Sequence, residues 1–159
     1  MPAITALLHS ENDALRLGRC LETLYPCDHI VVIDHGSHDD TVALARDYGA
    51  RVADAVPDAT PAQYMGLADS GWILCLDPRE SVSESLAADL YEWKLCAGAP
   101  SAPAFSVFLR EETADGWVQM PHPQTRLVPS NWNRWHGFLP QTDPHAVAFE
   151  GELLRFAFP

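Results

Sequence analysis

The sequence predicts an α/β fold with a mostly parallel sheet and helices on both faces. Two stretches, residues 30–33 and 71–76, are apolar and lack the polar alternation of a half-exposed strand, which is typical of strands buried on both faces. Each stretch is followed by an aspartate, Asp34 or Asp77. Segments with apolar residues at helical spacing separate the strands, and this alternation indicates right-handed crossovers in a layered sheet.

The first two strand and helix units lie before residue 50. Residues 3–8 form the first predicted strand, and Ser10 or Asn12 is the expected N-cap of the helix that follows. Residues 30–33 form the second strand, and the second helix is expected to begin near Thr41. Apolar positions recur at helical spacing in both helices: Leu15, Leu17, Cys20, Leu21 and Leu24, then Val42, Leu44, Ala45 and Tyr48.

The third and fourth units complete the first half of the chain. Residues 51–56 predict a short strand, and the pair Thr60-Pro61 predicts a helix start, with threonine as the cap and proline in the first helical position. Gly66 weakens that helix. After the strand at residues 71–77, Ser83 is the expected cap of a fourth helix.

The second half has a different character. Residues 97–104 are rich in alanine, proline and glycine and are interpreted as a seam. The strands predicted beyond it are short, and the apolar tail is interpreted as an extended segment at the edge of the sheet. The strand ranges are 105–110, 117–120 and 125–128, the tail is 146–158, and prolines that prevent long helices stand at 121, 123, 129, 140 and 144.

Length and charge restrict the function classes. A chain of 159 residues is enough for one domain, which we predict to span residues 1–159. The formal charge is −12, and residues 1–99 hold 16 acidic against 6 basic side chains. Such an acidic surface disfavours nucleic acid as a partner. A small phosphorylated ligand is compatible with it, since it needs only a local cation or a helix N-terminus.

The cysteines and the N-terminus predict a cytoplasmic location. The four cysteines show no Cys-x-x-Cys spacing, so we expect reduced, buried thiols: Cys20, Cys27, Cys75 and Cys96. The apolar run at residues 3–8 is too short for an export signal or a membrane span.

Asp34 and Asp77 are the first candidate site residues. Ligands of open α/β sheets bind beyond the carboxyl ends of the strands, so these carboxylates are expected to face a ligand; capping of the next helix is the alternative. A hydrolase triad around Ser37 is disfavoured because the turn lacks the Gly-x-Ser-x-Gly elbow. An aromatic cluster is interpreted either as part of the core or as a sugar platform: Trp132, Trp135, His136 and Phe138.

These motifs resemble those of family-2 glycosyltransferases, which have the GT-A fold. Residues 34–41 read Asp-His-Gly-Ser-His-Asp-Asp-Thr and are similar to the family signature Asp-x-Gly-Ser-x-Asp-Gly-Thr. The pair Asn12-Asp13 resembles the Asn-Glu that opens such chains, and residues 20–24 resemble the Cys-Leu-x-Ser-Leu helix. Residues 72–80 follow the Trp-x-Leu-x-Leu-Asp-Ala-Asp-Glu strand, and the likeness covers residues 3–95.

The resemblance implies a Rossmann-like GT-A sandwich that transfers a hexose from a nucleotide-diphosphate sugar, most simply a UDP sugar. Residues 1–99 would form the nucleotide-binding half and residues 100–159 a reduced acceptor half. Asp77 would hold Mg²⁺ or Mn²⁺ as the first carboxylate of the Asp-x-Asp motif. Asp34 would bind the base or ribose, and the other implied donor-site residues are His9, Ser10, Glu11, Asn12, Gly36 and Ser37.

The chain departs from the family pattern where the chemistry is expected. Arg79 replaces the second aspartate of the metal motif and cannot coordinate a metal, although it can pair with a diphosphate; Glu80 is the remaining oxygen ligand. Gln141 stands where the family has an acidic general base. We therefore hold two hypotheses, a hexosyltransferase and a catalytically silent nucleotide-binding or interaction module. A nucleotidyltransferase is a weaker third, because the first strand is not followed by a glycine-rich loop.

Overall fold

The computed structural model describes residues 2–96 and 102–159, and in these ranges it forms a nine-stranded sheet and a separate two-stranded hairpin. The helices are α1 (Leu17–Leu21), α2 (Thr41–Asp47), α3 (Pro61–Tyr64) and α4 (Glu84–Leu95). The strands of the first half are β1 (Ile4–Ser10), β2 (His29–Asp34), β3 (Arg51–Asp54), β4 (Trp72–Leu76) and β5 (Glu80–Val82). Those of the second half are β6 (Phe105–Thr113), β7 (Gly116–Gln119), β8 (Gln124–Pro129), β9 (Trp135–His136), β10 (Leu139–Pro140) and β11 (Val147–Arg155).

The main sheet has the order β3-β2-β1-β4-β8-β6-β11-β5, with β7 paired to β6. The first four of these strands are parallel, as the alternating strand and helix pattern predicted. Parallel strands bring their carboxyl ends to one edge of the sheet. In the register, Ser10 of β1 lies opposite Asp34 of β2, and Asp34 lies opposite Asp54 of β3.

Alternate residues of the central strands pack into two cores on opposite faces of the sheet, because successive side chains of a strand point to opposite sides. Leu8, Val32 and Leu74 face a layer built from α1, α2 and α4. Leu7, Val31 and Ile73 pack in the other core, with Tyr64 and Met65 of the α3 region. The predicted architecture, a mostly parallel sheet with helices on both faces, is therefore confirmed.

The caps of α3 and α4 are as predicted, whereas that of α1 is not. Thr60 and Gln63 form a reciprocal capping box at α3, which passes into a 3₁₀ turn at Met65–Leu67 that contains Gly66. The Ser83 hydroxyl accepts a hydrogen bond from the Leu86 backbone N–H at 3.1 Å. Helix α1 starts later than predicted, after Arg16, and has no side-chain cap. The predictions of Ser10 and Asn12 as its caps are wrong, since both side chains make contacts within the loops.

The predicted position of the tail, at the edge of the sheet, was wrong. Strand β11 is extended as predicted, but it lies inside the sheet, parallel to β6 on one side and antiparallel to the short strand β5 on the other. β5 and the β9–β10 hairpin were not predicted. Part of the predicted seam, residues 97–101, lies outside the described residues. Of the cysteines predicted to be buried, Cys20 and Cys75 are buried, whereas Cys96 is exposed.

No helix within residues 2–96 and 102–159 has the length and apolar character of a membrane span.

Candidate functional site

A cleft of about 520 Å³ opens at the carboxyl ends of β2 and β3. Its floor is formed by the strand tips and their loops, and its walls include an aromatic side chain from α3 and one from the β9–β10 turn. The lining residues are Asp34, His35, Gly36, Asp54, Ala55, Val56, Pro57, Asp58, Ala59, Tyr64 and Phe138. The predicted site residues Asp34 and Gly36 are therefore at the cleft.

Asp34 is held by the turn that follows β2. Its Oδ1 accepts a hydrogen bond from the Ser37 hydroxyl at 2.6 Å, and its Oδ2 accepts one from the Ser37 backbone N–H at 3.2 Å. Gly36 permits the turn because its φ is +79°, which disfavours side chains with a Cβ. An ionised carboxylate has about four acceptor positions, so Asp34 retains capacity for a donor in the cleft.

The other predicted residues of the β1 tip join two loops and are not part of the cleft lining. The Asn12 backbone N–H donates to the Ser37 hydroxyl at 2.9 Å, and the Asn12 side-chain oxygen accepts from the His38 backbone N–H at 2.8 Å. The Ser10 hydroxyl donates to Asp13 at 2.7 Å. Glu11 is exposed. These contacts fix the β1 and β2 loops relative to each other and so support the position of Asp34.

An aromatic group lies beside the cleft. The ring of His9 stacks on Phe138 at 4.0 Å between centroids and meets Tyr64 edge-on at 5.0 Å. His9 Nδ1 and His35 Nε2 are 2.8 Å apart. Burial, with the neighbouring His35, lowers the pKa of His9 from 6.5 to about 4. The predicted aromatic cluster thus divides, because Trp132 belongs to the core whereas Phe138 is 45% exposed and faces the cleft.

Asp77 follows β4 at the same edge of the sheet as Asp34, but it does not line this cleft. Strand β1 separates β2 from β4, so the two tips are two strand spacings, about 10 Å, apart. Asp77 Oδ1 accepts from Arg79 Nε at 2.9 Å, and Asp77 Oδ2 accepts from Arg79 Nη2 at 3.3 Å. Burial alone would raise the pKa of Asp77, but the hydrogen bonds and positive charge of Arg79 outweigh it, and the pKa lies below its usual value.

Glu80, which was predicted as a metal ligand, lies in the interior of the protein with its carboxylate paired to an arginine. It is fully buried and forms two hydrogen bonds to Arg126, from Nη1 at 2.6 Å and from Nη2 at 2.8 Å. Glu80 Oε1 also accepts from the Asp77 backbone N–H at 2.8 Å. The carboxylate therefore braces the loop after β4, and both its oxygens are engaged inside the protein.

The residues at the tip of β4 do not fit a divalent metal. Mg²⁺ and Mn²⁺ prefer several oxygen ligands, but both oxygens of Asp77 face the Arg79 guanidinium and both oxygens of Glu80 face Arg126. Within residues 2–96 and 102–159, there is no group of three or more His, Cys, Asp or Glu that could hold a metal ion.

Gln141 lies in a separate cleft of about 630 Å³, which His136 also lines. It is exposed, and its backbone N–H donates to the Arg134 carbonyl at 2.9 Å. This cleft is formed mainly by the β9–β10 hairpin and contains no carboxylate among its lining residues.

Sequence reasoning missed several residues that form the Asp34 cleft. Asp54 ends β3 just as Asp34 ends β2, so the strand-tip argument applied to it equally. Asp58 follows four residues later, in the loop after β3, and has a positive φ of 61°. Tyr64 was also missed, and it comes from α3. Phe138 was named only as a member of the aromatic cluster, and no local pattern indicates that its β9–β10 turn meets α3 at the cleft.

Comparison with known proteins gives distant relatives. A TPR repeat-containing protein of Synechococcus elongatus is 34% identical over 132 residues, 80% of this chain and 31% of that protein. An uncharacterized glycosyltransferase of Rickettsia felis is 31% identical over 96 residues, 57% of this chain and 33% of that protein. The 4,4'-diaponeurosporenoate glycosyltransferase of Staphylococcus aureus is 36% identical over 66 residues, 39% of this chain and 17% of that protein. The chain thus spans at most about a third of the length of these relatives, and no protein-family model matches it.

Two solved structures superpose on most of the chain. One, described as a mycobacterial protein, has a TM-score of 0.55 at 17% identity and matches 70% of this chain and 42% of its own. The other is the glucosyl-3-phosphoglycerate synthase of Mycobacterium tuberculosis with Mn²⁺, UDP-glucose and phosphoglyceric acid. Its TM-score is 0.52 at 19% identity, over 69% of this chain and 44% of its own. At such low identity, these superpositions establish a shared fold.

Proposed function

Because this chain is a distant homologue of family-2-like glycosyltransferases and has the GT-A fold, we propose that it binds a nucleotide-diphosphate sugar and transfers its hexose to an acceptor. The observation that carries the proposal is the cleft beside Asp34, at the edge of the sheet where ligands of open α/β folds bind. A cytoplasmic location is part of the proposal.

The chemistry of the cleft suits the nucleoside end of the donor. A uracil ring presents an N–H group, and Asp34 offers a held carboxylate with acceptor capacity. Tyr64 and Phe138 supply aromatic surface in the same cleft. Three carboxylates line it, those of Asp34, Asp54 and Asp58, so it disfavours phosphate and favours an uncharged group that donates hydrogen bonds.

The mycobacterial synthase provides an independent reason to choose UDP first, since it binds UDP and UDP-glucose in the same fold. Its Mn²⁺ is not carried over to this chain, because Asp77 and Glu80 are engaged by arginines. Binding of the donor here rests on the protein's own residues.

A catalytically silent nucleotide-binding or interaction module is the second candidate. The observation that favours it is the second cleft near Gln141, which has no carboxylate to take a proton from an acceptor hydroxyl. His136 also lines that cleft and is an alternative base. The transferase and a silent nucleotide-binding module both require nucleotide binding at Asp34, and they differ in turnover.

A thermal-shift screen with UDP, UDP-hexoses and other nucleoside diphosphates tests the proposal. A ligand at 100 times its Kd stabilises the folded state by about 2.7 kcal/mol, which raises the Tm of a chain of this size by roughly 5–11 °C. We expect this shift with UDP and a much smaller one in Asp34→Asn. Asp47→Asn is the matched control, because Asp47 is exposed at the end of α2.

If none of the nucleotides raises the Tm of the wild-type protein at millimolar concentration, the proposed function is wrong. Release of hexose from a UDP-hexose, measured on the same samples, separates the two candidates. Turnover that Asp34→Asn reduces supports the transferase, and binding without turnover of any donor and acceptor tried supports the silent module.

A further inference from the structure

In the Asp77-x-Arg79 segment, the carboxylate that would bind a metal ion is paired with an arginine instead. Arg79 contacts both oxygens of Asp77 with its side chain, and its backbone N–H donates to Asp77 Oδ1 at 2.9 Å. A divalent ion bound to Asp77 would have to displace this guanidinium and would remain close to its positive charge. The segment therefore already contains a fixed cation beside the carboxylate.

The Arg79 guanidinium has donors to spare. Nε and Nη2 bind Asp77, whereas Nη1 has no hydrogen-bond partner in the described part of the chain, and the side chain is 41% exposed. A guanidinium held along one edge presents its other edge as a rigid fork, which suits phosphate oxygens. Asp77 fixes the orientation of that fork and reduces the rotamer freedom that phosphate binding would otherwise remove.

A second arginine lies close by. Arg155 lines a groove of about 330 Å³ together with Arg79, and its Nη1 lies 3.7 Å from Glu111, a long contact between partly exposed groups. Glu112 also lines the groove, so its charge is mixed. Arg79 and Arg155 nevertheless bring positive charge to this groove, whereas the charged side chains that line the Asp34 cleft are carboxylates.

The positions of the two ends agree with one extended ligand. The β2 and β4 tips are about 10 Å apart, a distance that a nucleoside diphosphate can span. With the base in the acidic cleft at Asp34, the diphosphate would cross β1 and reach the tip of β4. The charges at the two ends thus select one orientation of the ligand.

We propose that Arg79 binds the donor diphosphate directly in place of a divalent metal, with Asp77 as the residue that positions its guanidinium. This inference rests on the proposed function and adds that nucleotide binding is independent of metal. Arg79 supplies positive charge next to the diphosphate, and Asp77 affects binding only by holding the Arg79 guanidinium in place.

Calorimetry of the full chain with UDP tests the inference. We expect the same UDP affinity, within about twofold, in excess EDTA and in Mn²⁺. Arg79→Ala is expected to lower the affinity for UDP by about 10- to 100-fold, the loss that corresponds to charge-assisted hydrogen bonds. The affinity for uridine, which has no phosphate, should stay unchanged. Arg110→Ala is the matched control, since Arg110 is 50% exposed on β6 and does not line either site.

The reverse substitution sharpens the test. Arg79→Asp recreates two carboxylates and removes the cation, so UDP binding of this variant should need Mn²⁺, and circular dichroism verifies its fold. If EDTA abolishes UDP binding of the wild-type protein, or if Arg79→Ala binds UDP as tightly as the wild type, the inference is wrong and the proposed function stands. If UDP and uridine fail to bind the wild-type protein under every condition, the proposed function itself fails.

Discussion

The buried pair of Glu80 and Arg126 provides the sharpest stability prediction. The side chains are 0% and 1% exposed, and two hydrogen bonds of 2.6 and 2.8 Å join Glu80 of β5 to Arg126 of β8. Glu80→Ala leaves the Arg126 charge without its partner in the interior. Breaking a buried pair in this way costs about 3–5 kcal/mol, much of the 5–15 kcal/mol by which such domains are stable. The Asp77 backbone N–H also loses its acceptor.

Urea unfolding of the wild-type protein and the variant measures this loss. We expect a lower midpoint with a similar slope, and a Tm lower by roughly 6–20 °C for a domain of this size. Glu111→Ala is the matched control because Glu111 pairs with Arg155 at 3.7 Å in a partly exposed position. Surface pairs of that kind contribute at most about 1 kcal/mol.

A double variant separates charge from packing. Replacing Glu80 and Arg126 together by methionine fills the space with apolar atoms and leaves no buried charge. Such replacements of whole ion pairs are often neutral or stabilising, so the double variant should be more stable than Glu80→Ala. The reasoning is refuted if Glu80→Ala costs no more than Glu111→Ala, or if the double variant is the less stable of the two.

Two further predictions concern packing and pH. A Cβ on Gly151 would lie 2.3 Å from the Leu86 backbone nitrogen of α4, so Gly151→Ala should lower the free energy of unfolding in urea by about 1–3 kcal/mol. Gly66→Ala is the control, because the space around Gly66 is open and this substitution should be neutral or stabilising. Equal effects of the two substitutions would contradict the close approach of Gly151 to α4. Since the pKa of His9 is lowered to about 4 in the folded protein, the unfolded chain takes up this proton at a higher pH than the folded protein does. The free energy of unfolding should therefore fall as the pH drops from about 6.5 to 4. An NMR titration of His9 should have its midpoint near 4, and a midpoint near 6.5 would show that the ring is not buried against His35.

The first half of the fold was predictable because its signals are local. Apolar runs without alternation identified β2 and β4, and the caps at Thr60 and Ser83 fixed the starts of α3 and α4 within the sequence itself. The position of the tail in the sheet depends on pairing between residues far apart in the chain. Val147 pairs with Phe105, and Leu153 pairs with Val82, so the position of β11 inside the sheet has no local signature.

The candidate site was predictable in part for the same reason. Asp34 and Asp77 could be named as strand tips, and the strand order places both at one edge. The side chains that contact these aspartates and their neighbours could not be predicted in the same way. Glu80 follows Asp77 closely in sequence, yet its role as a buried brace depends on Arg126, which is 46 residues away.

The sequence by itself determined the succession of strands and helices, the acidic strand tips and the absence of a second aspartate at position 79. Only the tertiary structure decided which distant side chains meet near those tips: Phe138 against His9, and Arg126 inside with Glu80. The physical reason is the range of the interactions. Secondary structure depends on neighbours within a few residues, whereas burial and charge pairing depend largely on segments brought together by folding. What packs beside an acidic residue therefore decides whether it lines a cleft, as Asp34 does, or braces the interior, as Glu80 does.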